Sequence, residues 1–175
     1  METKHLATCL YGVEIPKQGG DTLFANGYLS LNALPPALSK QVKSLSITYS
    51  RLYLYERLGY AKKLSTEELA QFSDVTKPLV VTHPVTQREA LVFSIEECKC
   101  IDGMNESQSY EFLSQLLEFI TAENQIYRHQ WSVGDLLVWD NRCMMHTATE
   151  YNYATQRRRL HRVSDWSPVS FTSDF

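Results

Sequence analysis

The sequence lacks any apolar run near the roughly 20 residues needed to cross a bilayer. Its opening, METKHLATCL, holds no signal-peptide hydrophobic core. A cytoplasmic chain with no membrane partner is therefore expected. It also lacks a basic excess: 17 Lys and Arg stand against 20 Asp and Glu, a formal net charge of -3. That balance argues against a nucleic-acid partner, which would call for a basic patch. Seven Gly and six Pro in 175 residues are too few for a fibrous or low-complexity chain. Cysteine is sparse as well, with four residues. Cys98 and Cys100 form a C-x-C without the C-x-x-C spacing of a zinc site and read as part of a solvated loop. Cys9 and Cys143 sit in apolar runs and read as buried free thiols. No repeat or linker interrupts the chain. The 43% hydrophobic content is enough for one globular core, so residues 1–175 are expected to form a single domain.

The apolar texture is mostly that of strands. Residues 6–15 read as a buried strand that ends at Pro16 and the turn Gly19-Gly20-Asp21. Asn26 is a plausible cap for a short helix reaching Leu34, Pro35-Pro36 break it, and Pro36 opens a second helix over 37–45. Residues 47–55 read as a strand running into a turn of helix, and Ser65 with Glu68 forms a capping box. Two β-branched runs, 78–82 and 90–93, flank a turn at 84–87. The clearest helix is 107–122, where Tyr110, Leu113, Leu116, Leu117 and Ile120 recur at helical spacing. Strands follow at 126–131, 136–139 and 158–165. Short strands joined by turns, with one long helix outside them, suggest a β-sandwich or jelly roll with helical decoration.

Three polar stretches stand out on this scaffold. In Trp139-Asp140-Asn141-Arg142-Cys143-Met144-Met145-His146 a lone histidine follows a buried strand; one imidazole makes no metal site by itself. In Gln156-Arg157-Arg158-Arg159-Leu160-His161-Arg162 strand alternation sets Arg158, Leu160 and Arg162 on one face. Leu160 suggests that this face points inward. Two guanidinium groups would then lie inside the fold, which is costly unless each meets an anion. Guanidinium also suits bidentate capture of a carboxylate or sulfonate, so one or two small anions are expected as ligands. The third stretch, Gly19-Gly20-Asp21-Thr22, offers a tight turn and a hydroxyl and is weak alone.

Taken in order, these stretches resemble the TauD/TfdA family. The resemblance rests on Glu14-Ile15-Pro16 with Gly19-Gly20-Asp21-Thr22-Leu23, then Thr82-His83-Pro84-Val85-Thr86, and then the segment 131–142 with His146. It closes on Gln156-Arg157-Arg158 with His161-Arg162. The family's members are Fe(II)- and 2-oxoglutarate-dependent dioxygenases, and the type members act on taurine and 2,4-dichlorophenoxyacetate. The resemblance implies a mainly β fold with α decoration, a double-stranded β-helix of the jelly-roll, clavaminate synthase-like kind. It implies His146 as the distal iron-binding histidine, Arg158 and Thr22 as the pair that binds the distal carboxylate of 2-oxoglutarate, and Arg162 as the residue that meets the anionic group of the primary substrate. The cofactor implied is Fe(II), held by two His and one carboxylate, with 2-oxoglutarate as co-substrate. The reaction implied decarboxylates 2-oxoglutarate to succinate and uses O2 to hydroxylate a small sulfonate or carboxylate.

One part of the pattern is missing. The family's other two iron ligands come from an H-x-D motif ahead of the first strand, and here only His5 precedes that strand, with no Asp or Glu two residues on. His5 is expected to be an exposed terminal residue. The remaining histidines do not fill the gap: His83 belongs to a turn, His129 alternates with Arg128 on a strand, and His161 faces away from Arg162. The expectation is a family fold incomplete at its N-terminus, with an inward sheet face left exposed as an apolar patch or a homo-oligomer surface. Two readings stay open beside the dioxygenase: a non-catalytic anion-binding relative, or an incomplete gene product without a working iron site.

Overall fold

The computed structural model describes residues 6–164. In chain order its elements are β1 (Ala7–Glu14), β2 (Thr22–Asn26), α1 (Gly27–Ala33), α2 (Pro36–Lys43), β3 (Ser46–Tyr49), α3 (Arg51–Arg57), α4 (Thr66–Leu69), β4 (Val75–Pro78), β5 (Val80–Thr82) and β6 (Glu89–Leu91). There follow β7 (Cys98–Ile101), α5 (Glu106–Ile120), β8 (Ile126–His129), β9 (Leu136–Asp140), β10 (Met144–Ala148) and β11 (Arg159–Ser164). The structure is mainly sheet with some helices, and no helix among the described residues is long and apolar enough to cross a membrane. His5 and position 165 lie outside the described residues.

The chain divides into two compact units. One takes the residues up to Asn26 and those from Ile126 onward; the other is Gly27–Gln125. The first unit contains two three-stranded antiparallel sheets, ordered β11-β1-β9 and β10-β2-β8. Register fixes which side chains share a face. Thr8 pairs with Trp139 and Ser164, and Leu10 pairs with Leu137 and Arg162. Thr8 and Trp139 are buried, and Trp139 meets Phe24 of the other sheet edge to face at 5.1 Å. The two sheets therefore pack through Thr8 and Trp139 on one side and Phe24 on the other. The apolar exposure expected from the sequence falls on the opposite face of β11-β1-β9, where Tyr11, Leu136, Val138 and Val163 are exposed. Alternation sends every second residue outward, and on these strands the outward set is apolar too.

In the second unit β3 lies between β4 and β7, and β5 pairs with β6 as a hairpin. α5 packs on β7 and α1 on β6, around Val42, Ile47, Leu79, Leu91, Ile101, Leu113, Leu116 and Ile120. α5 starts one residue earlier than its periodicity indicated, because Asn105 caps it. Its side chain accepts from Gln108 N while Gln108 Oε1 accepts from Asn105 N. The Cys98–Cys100 stretch is not a solvated loop. It is the strand β7, with Cys98 buried, and burial pushes the Cys98 thiol up to about 11.

Candidate functional site

The site residues singled out in the sequence come together in the first unit. The chain after β1 turns through Gly19 and Gly20, and Gly20 N donates to Glu150 O at 3.2 Å. Asp21 is buried there. Its backbone exchanges bonds with Thr149, and its carboxylate takes the Arg128 guanidinium at 2.6 Å. That anchoring sets the start of β2, so Thr22 begins a strand rather than a helix. The Thr22 side chain lies between the two sheets and is buried.

Arg158, just ahead of β11, reaches this turn. Its Nε donates to Gly20 O at 2.7 Å and its Nη2 donates to Thr22 Oγ1 at 3.3 Å. Burial lowers the pKa of the Arg158 guanidinium, against the pull of Tyr151 and Asp21 in the other direction. A half-buried cation whose nearest hydrogen-bond partners are a neutral carbonyl and a hydroxyl is incompletely compensated. The guanidinium therefore keeps donor capacity beyond its two bonds at this turn.

His146 lies on β10, directly opposite Phe24 of β2. The two rings stack at 6.0 Å, and Trp139 closes over the imidazole at 4.7 Å. The Trp139 indole N–H is buried with no partner among the described residues, an orphaned donor beside the imidazole. Loss of solvation, and next the Arg162 charge, lower the His146 pKa. Both effects favour the neutral imidazole. His146 protonates less readily folded than unfolded. Its contribution to stability is accordingly present above the ordinary histidine value of about 6.5 and is lost as pH falls through the lower folded value. In a proton-detected titration, Arg162→Gln is expected to move the His146 midpoint upward; an unmoved midpoint would mean that the two groups do not interact.

Arg162 departs from the expectation of two buried guanidiniums. It shares its face with Leu10 and Leu160, as alternation indicated, but it is exposed, and its Nε donates to Ser164 Oγ at 3.1 Å. β11 is an edge strand, and an edge leaves an inward-facing side chain open to solvent. His161 lies on the other face, against Tyr11 at 6.4 Å. His83 is buried in its turn, where its Nδ1 accepts from the amides of Val85 and Thr86.

Much of the Trp139–Arg142 stretch braces the strands. Asp140 accepts three side-chain bonds from Arg142, at 2.9, 3.1 and 2.6 Å. Asn141 Nδ2 donates to Thr8 Oγ1 at 2.9 Å. A contact not foreseen from the sequence is Trp131, whose Nε1 donates to Thr22 Oγ1 at 2.9 Å. The alternation of Tyr127, His129 and Trp131 opposite Phe24 and Thr22 was the available signal. As for a metal, no group of three donor side chains that includes His146 exists among the described residues.

A family model described as Taurine catabolism dioxygenase TauD, TfdA family, matches residues 1–164. The chain is 31% identical over 164 residues to an (S)-phenoxypropionate/alpha-ketoglutarate-dioxygenase of Sphingobium herbicidovorans, covering 91% of this chain and 57% of that one. It is 33% identical over 155 residues to an alpha-ketoglutarate-dependent 2,4-dichlorophenoxyacetate dioxygenase of Cupriavidus pinatubonensis, covering 89% and 53%. Among solved structures it superposes on AAD-2 in complex with Mn(II) and N-oxalylglycine, with a TM-score of 0.82 and 29% identity over 93% of this chain and 64% of that one. The chain thus spans about half the length of the curated relatives it matches.

Proposed function

This chain belongs to the TauD/TfdA dioxygenase family, and from that premise we infer that it takes part in Fe(II)- and 2-oxoglutarate-dependent oxidation of a small anionic substrate. Residues 1–175 are then one family domain, and the two three-stranded sheets of its first unit are faces of a double-stranded β-helix. Arg158 and Thr22 bind the distal carboxylate of 2-oxoglutarate, His146 is one iron ligand, and Arg162 meets a sulfonate or carboxylate on the primary substrate. O2 is the second co-substrate.

The observation that carries this reading is the spacing along β2. Thr22, which bonds Arg158, and Phe24, which lies opposite His146, are two residues apart. Two residues of strand rise about 6.8 Å, close to the span from the keto acid end of 2-oxoglutarate to its far carboxylate. The guanidinium and the hydroxyl orient one end of such a ligand while His146 faces the other. Phe24 and Trp139 flank the imidazole. Iron, when bound, would supply the oxidising chemistry. His146 is one donor suited to it, and the described residues do not bring two more beside it. A second reading, which the Arg158–Thr22 pair supports as well, is that the chain binds anions without oxidising them.

Anaerobic titration with Fe(II) and 2-oxoglutarate separates the two. A visible chelate absorption, followed by succinate when air is admitted, is the outcome expected of the dioxygenase. Binding of 2-oxoglutarate with no band and no succinate would leave the anion-binding reading alone.

A further inference from the structure

We infer that Trp131 is a positioning residue that commits the Thr22 hydroxyl to donating, and thereby turns it toward a carboxylate bound at Arg158; the inference rests on the 2-oxoglutarate reading above. A hydroxyl has one proton to give and two lone pairs to receive. Here both lone pairs are taken by groups that can only donate. Trp131 Nε1 donates to Thr22 Oγ1 at 2.9 Å, and Arg158 Nη2 donates to the same oxygen at 3.3 Å. An indole N–H and a guanidinium have no acceptor to offer in return. The hydroxyl proton must therefore point away from both, and no described side chain or carbonyl accepts it. Thr22 and Trp131 are both buried, so bulk water is a poor substitute. Had Trp131 been a phenylalanine, the hydroxyl could rotate freely between giving and receiving.

The indole is itself held in place. His129 meets it edge to face at 4.6 Å and 89°, and His129 Nε2 lies 3.2 Å from Asp135 Oδ2. That same carboxylate oxygen accepts the Ser132 amide at 2.8 Å, tying down the turn that begins at Trp131. The chain of contact runs from Asp135 through His129 and Trp131 to the Thr22 hydroxyl. An anion then finds the hydroxyl already oriented, and does not have to order it on arrival.

Calorimetric titration with 2-oxoglutarate in the presence of Mn(II), without O2, tests this on wild type, Trp131→Phe, Thr22→Val and the double variant. Trp131→Phe keeps an aromatic ring but removes the N–H together with the pyrrole part of the indole, and it should weaken binding roughly fivefold. In the Thr22→Val background it should cost nothing further, because Trp131 acts through that hydroxyl. A purely structural Trp131 would add its full loss in both backgrounds, which overturns the inference, as does unchanged affinity in Trp131→Phe. Absence of any binding by the wild type overturns the 2-oxoglutarate reading and the inference with it, and is a distinct result. A ligand-free measurement stands beside these. The Trp131 indole N–H resonance should shift and exchange faster in Thr22→Val, and an unaltered resonance would show that the bond is not made.

Discussion

Replacing Arg158 by alanine is expected to reduce 2-oxoglutarate affinity roughly 10- to 100-fold, the equivalent of about 1.5–3 kcal/mol for hydrogen bonds to a charged group. The guanidinium is fixed at one corner by Gly20 O at 2.7 Å, so its orientation is set before a ligand arrives. Arg158→Lys should recover only part of the loss. It keeps the charge but cannot bond Gly20 O and Thr22 Oγ1 while also presenting a two-pronged edge to a carboxylate. Calorimetric titration of the three proteins checks the order wild type, Lys, Ala. Equal affinity in wild type and Arg158→Ala would remove Arg158 from the proposed site.

Gly19→Ala is expected to cost about 2–5 kcal/mol of folding stability, the sum of left-handed backbone strain and overpacking. Gly19 has φ +73, and a Cβ there would lie 2.1 Å from the carbonyl oxygen of Glu150. Backbone cannot swing aside as a side chain can, so the turn itself must open. Opening it breaks the Gly20 N to Glu150 O bond and displaces both Gly20 O and Thr22 from Arg158. Gly59→Ala is the matched control. Gly59 has φ +72 with nothing within 4 Å of its Cβ, so only the backbone strain applies. Urea denaturation should show Gly19→Ala clearly below Gly59→Ala. Equal losses would mean that the collision is relieved at no cost.

The Arg158 and Thr22 pairing was legible only through the resemblance to the TauD/TfdA motifs, and the two side chains do bond, at 3.3 Å. Alternation also told correctly which face Arg162 shares. It could not tell burial, because β11 is an edge, and being at an edge is a property of sheet order rather than of the strand. β7 and β10 escaped notice for different reasons. The Cys98-Lys99-Cys100-Ile101 stretch is short and has a charge in its middle, while Met144–Ala148 has three exposed residues in a row and so no period of two. The break at Gly27 and Ile126 between two units was not readable either. No proline-rich, glycine-rich or charged linker marks it, since the division follows which strands pair.

That pairing has a consequence in time. β1 finds its partners only in β9 and β11, and Thr8 bonds Ser164 across 156 residues of chain. At synthesis rates of 5–20 residues per second, roughly 8–30 s pass before the second partner strand has been made. Until β8 and β9 are made, the apolar strands β1 and β2 have no sheet to join, whereas residues 27–125 find their partners among themselves. Folding of the first unit is therefore a late, high-contact-order event. The bond that joins Thr22 to Arg158 forms only when the last strands arrive. On a ribosome, the interval before that moment is when nascent β1 and β2 most need protection from aggregation.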